Sequence, residues 1–223
     1  MDNPVWHALQ TVHKNFAIGT DTVCRYRPGT LQIMGCEDPQ NADLNVLRPW
    51  LSAGEKMFMV GKLAAPAPGW TISRKLDCAQ MVCESRESLI PDPTEDIIRL
   101  NDYDTQEMLE LINLVQPGYF YKDTPLLGKY FGIRKDGKLV AMAGERLRIT
   151  GFSEISAVVT HPSYTGKKYA QMLVSHVALD ILNEGSVPFL HFVNTNVRAG
   201  KVYEFLGFKE RKIIPFWELI MEF

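Results

Sequence analysis

The chain has 223 residues, 46% of them hydrophobic, with a formal net charge of −2 and a pI near 6.2. That composition supports one large core or two small ones and excludes wholesale disorder, while the lack of an overall basic balance argues against a dedicated nucleic-acid binder. No apolar run approaches the ~18 residues of a membrane span, and Asp2 with an interrupted first helix gives no leader pattern, so a cytoplasmic location without a membrane partner is expected.

Asn3-Pro4 resembles a cap followed by proline at the first helical position, and Val5, Trp6, Leu9, Val12 and Phe16 recur at helical spacing, so a helix opens the chain. A second short helix is predicted over 43–51, a strand over 56–63, a Pro-rich loop over 64–70 and a strand over 78–83. Cys24, Cys36, Cys78 and Cys83 lack a paired C-x-x-C arrangement. His7 and His13 are six residues apart and point in different directions on a helix, so no metal is expected. The charged, proline-bearing run 85–96 separates two hydrophobic regions, which predicts an N-terminal α/β region over 1–92 and a second domain over 96–223.

Beyond that break the pattern is regular. A strand is predicted over 96–100, a helix over 105–115 and a Gly/Pro/aromatic loop over 116–122. Strands over 130–134 and 138–149 flank Lys135-Asp136-Gly137, whose Asp-Gly pair signals a hairpin. Another strand is predicted over 154–160, a buried one over 187–193, a short helix over 197–205 and a closing strand or hairpin from Lys209 to Leu219. The strand, helix, strand order through 154–193 implies a right-handed parallel crossover.

The crossover helix carries apolar groups at Ala170, Leu173, Val174, Val177, Ala178 and Ile181 and should end at Gly185. Its start holds Thr165-Gly166-Lys167-Lys168-Tyr169-Ala170, two lysines at the positive end of the helix dipole. Each costs roughly 0.3–1 kcal/mol unless an anion, most naturally a phosphate, gathers both charges and the free N–H groups. Downstream, Asn196-x-x-Ala199-x-x-x-Tyr203-x-x-x-Gly207-Phe208 places a capping asparagine before a short helix and a left-handed glycine after it. On spacing alone Tyr203 is a core aromatic. Alternation puts Glu154, Ser156, Val158 and Thr160 on one strand face and Ile155, Ala157 and Val159 on the other. Gly151-Phe152-Ser153 lacks the second glycine of a hydrolase nucleophile elbow.

From about residue 96 onward, this order and these motifs resemble the GNAT N-acetyltransferase superfamily, particularly its FR-type acetyltransferase-like members. The resemblance implies an α/β GNAT fold, a mixed twisted sheet flanked by helices, here with an additional N-terminal α/β region. It implies acetyl-CoA as co-substrate, without a metal. Thr165, Gly166, Lys167, Lys168, Tyr169 and Ala170 would hold the pyrophosphate, though Thr165 replaces Arg/Gln and Lys168 replaces the central glycine of the family motif. Ala157, Val158 and Val159 would pair with the pantetheine amides, and Asn196 would complete the cofactor contacts. Tyr203 would protonate the departing thiolate, and Glu154 would be the base, with Glu145 as its competitor. Either glutamate could instead be solvent-facing or paired with Arg146 or Arg148. The partner would be a small-molecule or peptide amine acceptor, entering near 116–129 and 213–217 past Tyr119, Phe120, Tyr121, Phe216 and Trp217; a homodimer is allowed, and no nucleic acid is expected. The N-terminal region would cover this cleft or add a second lobe. The alternative is a catalytically inactive module that keeps the scaffold for CoA binding or protein contacts.

Overall fold

The computed structural model describes residues 1–65, 68–90 and 93–222. Parts of the predicted loop (66–67) and of the predicted boundary (91–92) lie outside the described residues. The chain opens with α1 (Pro4–Gln10), followed by β1 (Ala17–Gly19), β2 (Val23–Tyr26) and β3 (Ile33–Cys36). A 3-10 segment at Leu44–Trp50 leads to β4 (Lys56–Val60) and the long β5 (Trp70–Val82). Then come β6 (Ile98–Arg99), α2 (Thr105–Val115), a 3-10 turn at Thr124–Leu127, β7 (Tyr130–Lys135), β8 (Lys138–Ile149) and β9 (Phe152–Thr160). The chain closes with α3 (Tyr169–Asn183), β10 (Val187–Val193), α4 (Val197–Phe205) and β11 (Lys209–Met221).

Among the described residues the strands form one eleven-stranded sheet in the order β1-β2-β3-β4-β11-β5-β10-β9-β8-β7-β6. The division expected near residue 92 is crossed by this sheet. β11 pairs antiparallel with β4 on one side and with β5 on the other, so the last strand is inserted between two strands of the N-terminal region. β9 and β10 pair in parallel around α3, as the crossover rule requires.

The apolar stripe of α3 explains its place. Leu173, Val174, Val177 and Ile181 are all fully buried, each worth about 1.5–3 kcal/mol relative to exposure. They pack with Met81, Phe131, Ile155, Leu190 and Leu206 in one core. A second core joins α1 to Phe189, Ile214 and Phe216. Gly185 has φ +76 just beyond the helix end, as its left-handed role demands. The segment expected to be a helix over 43–51 is instead 3-10. Asp43 accepts from Asn45 N at 2.9 Å, and Pro49, inside the segment, has no N–H to give.

Candidate active site

β9 and β10 pair only from Val187↔Phe152 to Leu190↔Ile155. Beyond Ile155 they part, and a cavity of about 260 Å³ opens between them, lined on these strands by Ser156, Ala157 and Val158 facing His191, Phe192 and Val193. The parting coincides with a bulge: Ala157 has φ +52, a left-handed conformation disfavoured for a residue with a Cβ, and the β8 to β9 register slips between Met142 and Gly144. The strict alternation expected through 154–160 is therefore broken at Ala157.

Asn196, Ala199 and Tyr203 of α4 line the same cavity. Asn196 Oδ1 accepts from Ala199 N at 3.1 Å, which caps the helix as its spacing predicts, and Gly207 follows with φ +83. Tyr203 is 8% exposed, between the rings of Phe192 and Phe208. Burial pushes its phenol up to about 12, and its hydroxyl has no hydrogen-bond partner among the described residues.

The run 165–170 lies at the start of α3. Lys168 is the N-cap, so both lysines precede the first helical turn instead of occupying it. Lys168 takes φ +62, the conformation for which a glycine is suited, and Gly166 takes φ +81. Thr165 Oγ1 donates to Pro162 O at 3.1 Å, and Lys167 Nζ lies 5.1 Å from the Tyr164 ring centroid. The Tyr169 side chain is packed in the core with its hydroxyl donating to Glu95 Oε1, so only its backbone can serve a ligand. Gln171 faces Val197, Arg198, Lys201 and Val202 across a shallow groove between α3 and α4. Val159 is buried in the core beside α2 and pairs with Met142.

Neither carboxylate expected to act as base is free to do so. Glu154 is fully buried; its Oε2 accepts from Arg146 Nε at 2.8 Å, and its Oε1 from Arg146 Nη2 at 2.6 Å and His191 Nδ1 at 2.7 Å. Burial alone would raise its carboxyl, but the Arg146 guanidinium and the His191 contact outweigh it and hold the group at about 2. Such a carboxylate has little appetite for a proton. Glu145 is buried as well, accepting from Ser153 Oγ and Lys129 N and pairing with Arg148 at 3.3 Å. The pairing with Arg146 and Arg148, weighed in the sequence as the competing role, is the one these glutamates take.

His191, Arg146 and Tyr130 line the cavity and were not singled out by motif. Gln80 Oε1 accepts from Arg211, which turns its amide N–H toward His191 Nε2 at 2.9 Å and leaves the imidazole proton on Nδ1, facing Glu154. The turn at Thr150-Gly151 pairs Ile149 with Phe152, a register that would set Leu147 opposite Glu154; a slip between Glu145 and Arg148 shifts the pairing to Glu145↔Ile155, so turn spacing did not announce the Arg146 contact.

The far wall comes from the loop after α2 and from the N-terminal region. Tyr119, Phe120, Tyr121 and Phe216 line it, joined by Leu31, Gln32, Phe58 and Leu76 of the N-terminal region. The two are tied: Tyr121 Oη donates to Gln32 Oε1 at 2.7 Å, and Thr124 Oγ1 to Thr30 O at 2.6 Å. Trp217, expected here, instead donates to Gly61 O at 3.0 Å and packs in another cluster.

Among the described residues no helix is long and apolar enough to cross a membrane. No curated protein matches the sequence significantly. The FR47-like protein family matches residues 130–216. A structure from Novosphingobium aromaticivorans, described as an acetyltransferase of the GNAT family, is 29% identical, covers 100% of this chain and 98% of its own, and superimposes with a TM-score of 0.88. A GCN5-related N-acetyltransferase from Kribbella flavida shares the fold at 13% identity, with coverage of 97% and 93% and a TM-score of 0.62. A GCN5-related N-acetyltransferase-like protein from Streptococcus suis does so at 15% identity, with coverage of 98% and 92% and a TM-score of 0.63. With its sheet and its parted strands, the chain has the fold of the GNAT acetyltransferases, and its C-terminal part, residues 130–216, matches the FR47-like family.

Proposed function

We propose that the protein transfers an acetyl group from acetyl-CoA to a primary amine by direct attack. The observation that carries this reading is the opening between β9 and β10, where an unbonded Tyr203 hydroxyl meets exposed strand backbone. The residues present fit the coenzyme. Ser156 to Val158 offer backbone groups that β10 does not use, and the first amides of α3, beside exposed Lys167 and Lys168, suit a pyrophosphate. When bound, acetyl-CoA supplies an activated thioester carbonyl.

His191 takes the proton that the attacking ammonium must lose, at Nε2, once the Gln80 amide turns aside. Glu154 is a positioning residue: it fixes the imidazole tautomer and compensates the charge that forms. As the C–N bond forms and the C–S bond breaks, Tyr203, whose phenol stays protonated far above neutral pH, gives its proton to the departing sulfur and is reprotonated by the second proton that the acylated nitrogen sheds. Holding both reactants in one cavity supplies much of the remaining acceleration.

The test is transfer from labelled acetyl-CoA across an amine panel. Tyr203→Phe should lower kcat about 10²–10⁴-fold with the KM for acetyl-CoA unchanged. Equal turnover by the variant removes its role, and coenzyme binding without turnover on any amine returns the chain to a non-catalytic module.

A further inference from the structure

Two of the cavity's polar groups on one sheet face, the Tyr130 hydroxyl and Arg146 Nη1, have no hydrogen-bond partner among the described residues. Tyr130 stands opposite Gly144 in the β7 to β8 pairing, and a Cβ on Gly144 would come 2.3 Å from Tyr130 Cδ1, so the ring rests directly on β8. The residue is 2% exposed, and its hydroxyl is buried without any hydrogen bond. A buried hydroxyl left so destabilises a fold unless something satisfies it. Arg146 follows Gly144 by two residues on the same face of β8. Its Nε and Nη2 are spent on Glu154, but Nη1 has no partner among the described residues. A guanidinium has five N–H donors in a fixed fork, so this one retains donors for a second acceptor group.

The rest of the lining narrows what that group is. Arg146 is the one charged residue among those lining the cavity; no Asp, Glu or Lys joins it. A polyamine or other polycation would find no counter-charge there. The apolar surface is supplied chiefly by Phe58, Tyr119, Phe120 and Phe216.

We infer that the acceptor is an apolar or aromatic amino acid, its carboxylate bound by Arg146 and the Tyr130 hydroxyl while its amine faces the thioester end of the cavity. The inference rests on the acetyl-transfer reading for the amine's fate, but not for the carboxylate subsite. Glu154 neutralises the arginine, and the carboxylate adds the acceptor oxygens that Tyr130 and Nη1 lack.

The experiment is calorimetric titration of the CoA-saturated protein with the apolar and aromatic amino acids one at a time, each against its decarboxylated amine and its amide. The amide arm stands for a peptide amino terminus. At least one amino acid should bind ~10-fold or more tightly than both counterparts, a difference of about 1.4 kcal/mol. Tyr130→Phe deletes only the unbonded hydroxyl; it should melt no lower than the wild type, keep its CoA affinity and lose most of that preference. The inference is overturned if no amino acid binds, if amine or amide binds as well, or if Tyr130→Phe keeps the full preference. Acetyl transfer measured on the same samples separates the two readings. Transfer without carboxylate preference sinks the inference alone, and carboxylate-dependent binding without transfer sinks the enzymatic reading while the subsite stands.

Discussion

The two walls of the cavity are built from different materials. The wall toward α3 and α4 is made of backbone: the bulge at Ala157, the left-handed Lys168 and the Asn196 cap, with few side-chain bonds. The opposite wall is made of side chains, a chain of contacts running from Arg146 through Glu154, His191 and Gln80 out to the exposed Arg211, beside an aromatic surface. The first suits a ligand whose shape is fixed, since amides and phosphates need only main-chain partners. On the reading proposed above, the second is where one acceptor would be told from another. Substitutions should therefore act differently on the two sides.

The largest effect belongs to the side-chain wall. Glu154→Gln leaves Arg146 buried without its counter-charge and should destabilise the fold by about 3–5 kcal/mol, read from denaturant unfolding. A loss below about 1 kcal/mol, the level of an exposed pair, would show that the network holds little of the structure.

The same wall is anchored by His13. Leu127 O can only accept, so His13 Nε2 donates to it at 2.9 Å, while Nδ1 accepts from the Tyr26 hydroxyl at 2.7 Å. Burial lowers this imidazole from 6.5 to about 4. The unfolded chain thus binds the proton more readily, so the contribution is complete above about pH 6.5 and drains away as pH falls toward 4, a loss of about 3 kcal/mol in all. His13→Gln should flatten that slope. Glu154, held at about 2, loses its own contribution only at lower pH, below about 4.5.

The smallest effect belongs to the backbone wall. Lys168→Gly relieves a side chain from φ +62 and should stabilise the protein by about 1 kcal/mol. Its coenzyme affinity reports whether the ammonium compensates for the glycine that the family motif has there. Unchanged stability would mean that the residue is not left-handed in solution.

This contrast also explains what the sequence disclosed. Backbone devices come from local spacing, so the hairpin at Asp136-Gly137, the helices Thr105–Val115 and Val197–Phe205 and the strand Val187–Val193 were legible with their ends. The side-chain wall joins residues far apart in the chain, such as Gln80 with His191 and Tyr121 with Gln32, and no periodicity announces such a meeting. The short strands β1 to β3 escaped notice because three or four residues cannot display alternation, and two of them are buried on both faces. Glu154 was legible as a polar residue on the strand beside the cleft, but its pairing with Arg146 was only one of the open alternatives, because spacing places a carboxylate and cannot show which cation neutralises it.

A crystal structure of the protein with bound CoA tests the central claim most directly. The account predicts the pantetheine arm between β9 and β10, the pyrophosphate at the start of α3 and the sulfur beside the Tyr203 hydroxyl. CoA bound elsewhere, or a sulfur out of reach of Tyr203 with the pantetheine arm outside the β9 to β10 opening, would contradict it.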